Sequence, residues 1–400
     1  MPARILLIAT VAIVGLNLRP FITSVGPLAS DIAASTGLGL QGIALLTLVP
    51  MLLMGLVAFV GPPLQSAIGA RRSVIAALLI VSCGYALRLL APTGASMVAT
   101  AAAIGFGVAV IQAVFPAIIK REFPGHVSGM MGLYSAMLMG GGALGALSAP
   151  MVAGAAGSWA LGLAFFALPA ILATLLALVS LPADVGARRR LLKLGAFLSR
   201  PRTWLLMAFF GLMNGGYSSV VAWLAPAFQE QGWSATTSGS LLAVLAVSQA
   251  LSALIVPALA RKSPDRRLWL WITLAMQAAG FAGLAFAPAA APLAWAIVVG
   301  AGLGGCFALS LIVALDHLPD PAQAGALSAL MQGGGFLIAA VPPWLVAVFH
   351  DATGSYAAGW IWHLASVAIV AALAARLAPK GYAASLWASG AAHPESRLRA

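Results

Sequence analysis

The stretch that decides the fold is "GLNLRPF", residues 15–21, directly after the apolar run "RILLIATVAIV" at residues 4–14. An amide, a guanidinium and a proline stand where a membrane-crossing helix should be most apolar. Arginine does not shed its proton. Placing one at the centre of such a helix costs about 2.5–3.5 kcal/mol even on the lenient insertion scale. The charge has to be compensated, and the compensating group is the route to function.

Composition sets the class. The chain has 400 residues, 62% hydrophobic and 8% charged, where soluble domains run near about 25% charged. Apolar runs long enough to span a bilayer recur throughout, which predicts helices and not the weak alternating strands of a barrel. No small-residue cleavage site follows the first run, so it reads as a retained helix. Cys83 and Cys306 both fall inside apolar runs and read as small core residues, not as a disulfide.

Apolar runs between polar breaks give twelve spans: 5–26, 39–62, 73–91, 96–119, 127–153 and 157–181, then 202–228, 236–260, 268–287, 292–315, 322–349 and 357–377. The expected fold is therefore all-α, twelve transmembrane helices in two six-helix bundles. The bundles are expected at 1–181 and 202–378, with a linker at 182–201 and a tail at 379–400. Nearly all Lys and Arg residues fall on one side of this arrangement, from Arg4, Arg71, Arg72, Lys120 and Arg121 to the run Arg188–Arg202 and the pairs Arg261–Lys262 and Arg266–Arg267. The opposite loops carry Asp31, Glu230 and Asp351 and no cation. By the positive-inside rule both termini are cytoplasmic. The +12 formal charge is then a topology signal, and nucleic acid is not expected as a partner.

The two halves also repeat. Asn17 and Asn214, Pro63 and Pro257, Gly105 and Gly302, Gly129 and Gly325, and the triplets Gly140–Gly142 and Gly333–Gly335 recur at offsets of 193 to 197 residues. Parallel repeats of this kind place a substrate site near the bilayer midplane, between the halves.

No catalytic constellation, Walker loop or metal motif is present, so neither an enzyme nor a cofactor is expected. The glycine clusters "MGGGALGAL" and "QGGGFLIAA" read as surfaces that let helices approach closely. At about 1.5 Å of rise per residue, Asn17 lies about 18 Å and Arg19 about 21 Å into a core about 30 Å thick. The same count puts Asn214 at about 18 Å and Gln332 at about 15 Å, so four polar side chains share one level. No span interior holds Asp or Glu. Two readings of Arg19 follow: an anion-binding group in a wet central cavity, or a guanidinium held by carbonyls that Pro20 and Pro27 free from the helix. Arg88, near the opposite end of its span, either snorkels outward or guides anions at the mouth. Tyr217 and Trp223 could stack on a planar substrate, and Trp223 could equally anchor at the membrane interface.

"LNLRPFITSVGPLASDI", "FPAIIKREFP", "GLYSAMLMGGGALGA", "AWLAPAFQEQGWSATTSG" and "GALSALMQGGGFLIAAVPPWL" followed by "FHDATGSY" together resemble the cyanate and 2-nitroimidazole transporter branch of the major facilitator superfamily. The resemblance runs from the first helix to the twelfth. It implies transport of a small anion or planar weak acid, with Asn17, Arg19, Arg88, Tyr217 and Gln332 as pathway candidates. The sequence departs from the family at the loop "GPPLQSAIGARR", where Gln65 stands in place of the gating aspartate. The second-half counterpart "PALARKSPDRR" keeps Asp265.

The expectation is a secondary transporter in a bacterial-type inner membrane, working by alternating access as a functional monomer in the lipid bilayer. Arg19 would bind the anion while Asn17, Asn214 and Gln332 offer hydrogen bonds. Protons travelling on the substrate and exchange against a counter-anion both stay open as coupling modes. The alternative is an exporter of neutral or cationic compounds, which calls for a buried acid that the spans lack.

Overall fold

Prolines and glycines decide where these helices break and how closely they approach. A computed structural model describes residues 2–124, 126–183, 195–319, 321–382 and 386. Among them twelve helices are long and apolar enough to cross a membrane. Spans 1 to 6 are Arg4–Thr36, Leu40–Phe59, Ala70–Leu90, Gly94–Glu122, Gly129–Ala156 and Trp159–Ser180. Spans 7 to 12 are Pro201–Gln229, Ala235–Ala260, Arg267–Phe286, Pro292–Asp316, Gln323–Thr353 and Ala357–Ala375. Most of the linker at 182–201 and of the tail at 379–400 lies outside the described residues, as does the Gln65 side chain.

Span 1 differs from the sequence expectation, which ends it at residue 26. It is a single broken rod: helix Pro2–Leu16, a short helix Pro20–Thr23, a 3₁₀ turn Gly26–Leu28 and a last helix Ala29–Thr36. The breaks follow from Pro20 and Pro27, which cannot donate to Leu16 and Thr23. Pro20 sits where proline is welcome, at the first position of the new helix. Gly37, with φ of 72°, then ends the rod in the left-handed conformation that glycine tolerates. Span 6 is interrupted between Trp159–Ala164 and Ala167–Ser180, and span 11 between Pro321–Ala339 and Pro342–Thr353.

The glycine clusters are contact surfaces, as expected. A Cβ on Gly141 would run into the Leu16 carbonyl oxygen, and one on Gly145 would lie 2.7 Å from Pro20 Cα. Span 5 therefore backs the break in span 1. Gly334 and Gly335 of span 11 meet Met207 and Phe210 of span 7, so both triplets pack on the first span of their half, although Gly140 meets nothing where its counterpart Gly333 abuts Ala58. The Gly105–Gly302 match is looser. Gly105 abuts Pro50 of span 2, whereas Gly302 abuts Thr273 of span 9.

Span 2 packs on span 11 and span 5 on span 8, joining the two halves. Gly26 has the Val221 carbonyl of span 7 only 2.8 Å from where its Cβ would stand. Polar contacts also join the halves at the end opposite the basic face. Ser30 donates to Gln229 (3.2 Å), Gln229 to the Pro27 carbonyl (2.8 Å) and Gln41 to Asp351 (3.0 Å).

Candidate functional site

Arg19 stands at the gap in span 1, as the residue that caps the short helix Pro20–Thr23. It is 5% exposed. Its guanidinium makes no ion pair and no hydrogen bond among the described residues, and Nε is enclosed without a partner. The carbonyls freed by the two prolines do not receive it. Thr23 turns its hydroxyl to the Arg19 carbonyl instead, at 3.3 Å. Asp31 does not fold back towards it, because the rod continues outward and leaves Asp31 exposed. One group from the other half does meet Arg19: the guanidinium carbon lies 4.6 Å from the centre of the Tyr217 ring on span 7. That is a cation–π contact, which holds one face of the guanidinium and leaves its N–H edge available.

Tyr134 completes the surroundings, and sequence reasoning missed it. It is buried, its hydroxyl has no partner, and it interacts electrostatically with Arg19. Its ring is steadied by Phe115 at 5.7 Å. A signal was available. Tyr134, Leu138, Gly141 and Gly145 are spaced four, three and four apart, one face of a helix, and the two glycines are those that touch span 1. The Arg19 edge and the Tyr134 hydroxyl are thus a group of hydrogen-bond donors in an apolar setting. Such donors call for an acceptor, and beside a cation the favoured acceptor is an anion.

The remaining candidates sit differently. Asn17 donates to the Ile13 carbonyl at 2.8 Å and to the Pro169 carbonyl at 3.0 Å. Both of its N–H bonds are used, tying span 1 to span 6 at their breaks. Asn214 repeats the first of these bonds, donating to Phe210 at 2.9 Å. Gln332 is half-buried and makes only long contacts, 3.4 and 3.5 Å, to Ser328. No hydrogen bond links Arg19 to Asn17, Asn214 or Gln332. Arg88 does not snorkel: it is 1% exposed and lies against Tyr85, apart from the Arg19–Tyr217 pair. Trp223 neither lines a stacking surface nor anchors at an interface. It is fully buried, and its indole N–H donates to the Pro343 carbonyl at 2.7 Å. Asp265 is held in the fork of Arg267 at 2.6 Å, which keeps its carboxyl below the usual range.

Comparisons with known proteins agree with this architecture. The Major Facilitator Superfamily profile matches residues 6–343. The cyanate transport protein CynX of Escherichia coli (strain K12) is 40% identical over 93% of this chain and 97% of its own length. The 2-nitroimidazole transporter of the same strain is 32% identical over 93% of this chain and 94% of its own. Among solved structures, an inward-facing, unoccupied bacterial homologue of the human lysosomal transporter Spinster superposes with a TM-score of 0.80 at 16% identity. The match covers 97% of this chain and 99% of that one. A D-xylose–proton symporter superposes at 0.74 with 14% identity, covering 94% and 98%.

Proposed function

The chain belongs to the major facilitator superfamily of transporters, and from that premise we propose that its cargo is a small anion or planar weak acid, cyanate-like or nitroimidazole-like. The single observation that carries the reading is Arg19: a buried guanidinium at a helix break, without an acid or carbonyl partner, facing a tyrosine of the opposite half. A buried charge left unpaired is costly, so a cargo that neutralises it is bound where it is needed. The two curated relatives named above support the same chemical class.

In this reading the anion lies in the plane of the guanidinium, on the edge that the Tyr217 ring leaves free. Tyr134 donates from the same half. Gln332 supplies a donor from the other half once its long contacts to Ser328 give way, and Asn214 supplies one when it releases the Phe210 carbonyl. Asn17 acts one step back, holding the broken rod in place. The six-helix bundles at 1–181 and 202–378 rock about this level, with the termini on the cytoplasmic side of an inner membrane. The Ser30–Gln229 and Gln41–Asp351 contacts then close the outer side. An exporter of cations would want a carboxylate within the spans, and the described acids lie at span ends.

Uptake into proteoliposomes tests the proposal, with labelled cyanate, formate, nitrate and 2-nitroimidazole alongside a lipophilic cation. Wild type is expected to move at least one of the anions or the weak acid, Arg19→Ala none of them, and Arg19→Lys a fraction, since Lys keeps charge and loses the fork. Equal transport by Arg19→Ala and wild type overturns the reading.

A further inference from the structure

Arg88 is the second buried cation among the described residues, and the cargo site leaves it unexplained. It opens the 3₁₀ turn Arg88–Leu90 that ends span 3, and that turn packs under the start of span 6. Its Nε, Nη1 and Nη2 are all enclosed and all without a hydrogen-bond partner. Three residues earlier, Tyr85 is completely buried and its hydroxyl is equally without a partner. The Arg88 guanidinium carbon lies 5.6 Å from the Tyr85 ring, and that ring rests on Phe166 at 5.8 Å. The Tyr85 hydroxyl lies near the backbone of Phe21, in the short helix that follows the break in span 1. None of the ion pairs among the described residues includes Arg88.

Five N–H bonds and one O–H are thus gathered in an apolar pocket of side chains, with no acceptor supplied by the protein. A neutral acceptor would satisfy a hydrogen bond and leave the charge. We propose that Arg88 and Tyr85 form a second anion site, inside the N-terminal half and separate from Arg19, that takes one small monovalent anion of the halide or pseudohalide class. The single charge of Arg88 sets the valence. The enclosure of every nitrogen sets the size. Occupancy neutralises Arg88 and ties the end of span 3 to the broken segment of span 1, which presents Arg19. The site stands whether the anion is a resident halide or the cargo in transit.

The full-length protein, purified in detergent in sodium gluconate, provides the test through its melting temperature as chloride or cyanate is titrated in at constant ionic strength. Wild type is expected to gain stability saturably with at least one of the two. It should survive in Arg19→Gln, which separates this site from the cargo site. Read in the Arg19→Gln background, which removes the cargo site, the gain should vanish when Arg88→Gln is added and need a several-fold higher anion concentration when Tyr85→Phe is added. A response to chloride as well as cyanate identifies a resident halide, and a response to cyanate alone identifies cargo in transit. The proposal is overturned if neither anion stabilises Arg19→Gln, or if adding Arg88→Gln leaves that response unchanged. Should the double variant fail to fold, an unchanged anion midpoint on adding Tyr85→Phe to Arg19→Gln overturns it.

Discussion

The Arg19 guanidinium carbon lies 4.6 Å from the centre of the Tyr217 ring, and the two residues come from opposite halves of the chain. One contact therefore both orients the buried charge and spans the junction between the halves. A cation over a desolvated ring is worth about 0.5–2 kcal/mol. Tyr217→Leu should raise the KM for the transported anion by roughly 2- to 30-fold on that range. Tyr217→Phe keeps the ring and should stay within about twofold of wild type. Proteoliposome kinetics decide it: identical KM values for Leu and Phe variants mean the ring contributes nothing to the site.

Tyr134 is a test of the hydroxyl alone. Phenylalanine there keeps the packing on Phe115 and removes only the unpartnered O–H. A hydrogen bond to a charged group contributes about 1.5–3 kcal/mol, so Tyr134→Phe should raise KM about tenfold or more. The melting temperature without anion should hardly move, because no protein partner is lost. A KM equal to that of wild type removes Tyr134 from the site.

Much of this arrangement was legible in the residues themselves. Two prolines seven residues apart announce the broken rod, because each deletes a backbone donor whatever surrounds it. The apolar runs gave the twelve spans, since hydrocarbon thickness fixes their length. What stayed hidden depends on neighbours distant in sequence. The direction of Arg88 turns on a 3₁₀ turn tucked under span 6, and of its two readings its burial disfavours only the outward snorkel. Trp223 finds its acceptor in Pro343, 120 residues away. Asn17 spends its second N–H on the carbonyl of Pro169, 152 residues away. The position of Tyr134 needed the knowledge that Gly141 and Gly145 face span 1.

Gly141 and Gly140 make a paired test of that close approach. A methyl at Gly141 would clash with the Leu16 carbonyl oxygen, whereas one at Gly140 would meet nothing within 4 Å. The obstacle at Gly141 is backbone, which cannot rotate away, and overpacking costs about 1–3 kcal/mol. Gly141→Ala should lower the melting temperature and, by displacing span 1 beside Arg19, also reduce transport. Gly140→Ala should match wild type in both. A neutral Gly141→Ala would mean that spans 1 and 5 are not in contact there.

At the basic face, Arg202 Nε donates to His317 Nε2 at 2.9 Å. His317 Nδ1 lies 2.6 Å from the Val313 carbonyl and the ring stacks on Tyr382 at 3.9 Å. Nε2 accepts, so the ring is neutral with its proton on Nδ1. Burial, helped by the neighbouring Arg202 charge and opposed by the Val313 bond, pushes the imidazole from its ordinary value near 6.5 down to about 4. The unfolded chain then binds the extra proton more readily between those values. Stability is accordingly fully present above pH 6.5 and is lost as the pH falls through about 4. The loss is on the order of 3 kcal/mol. Melting curves from pH 7 to 4 should show that fall in wild type, with the part due to this residue missing in His317→Gln, which cannot titrate and still offers Arg202 an acceptor. Parallel curves for the two proteins would mean that His317 binds its proton as readily in the folded protein as in the unfolded chain, and that neither burial nor Arg202 holds it neutral.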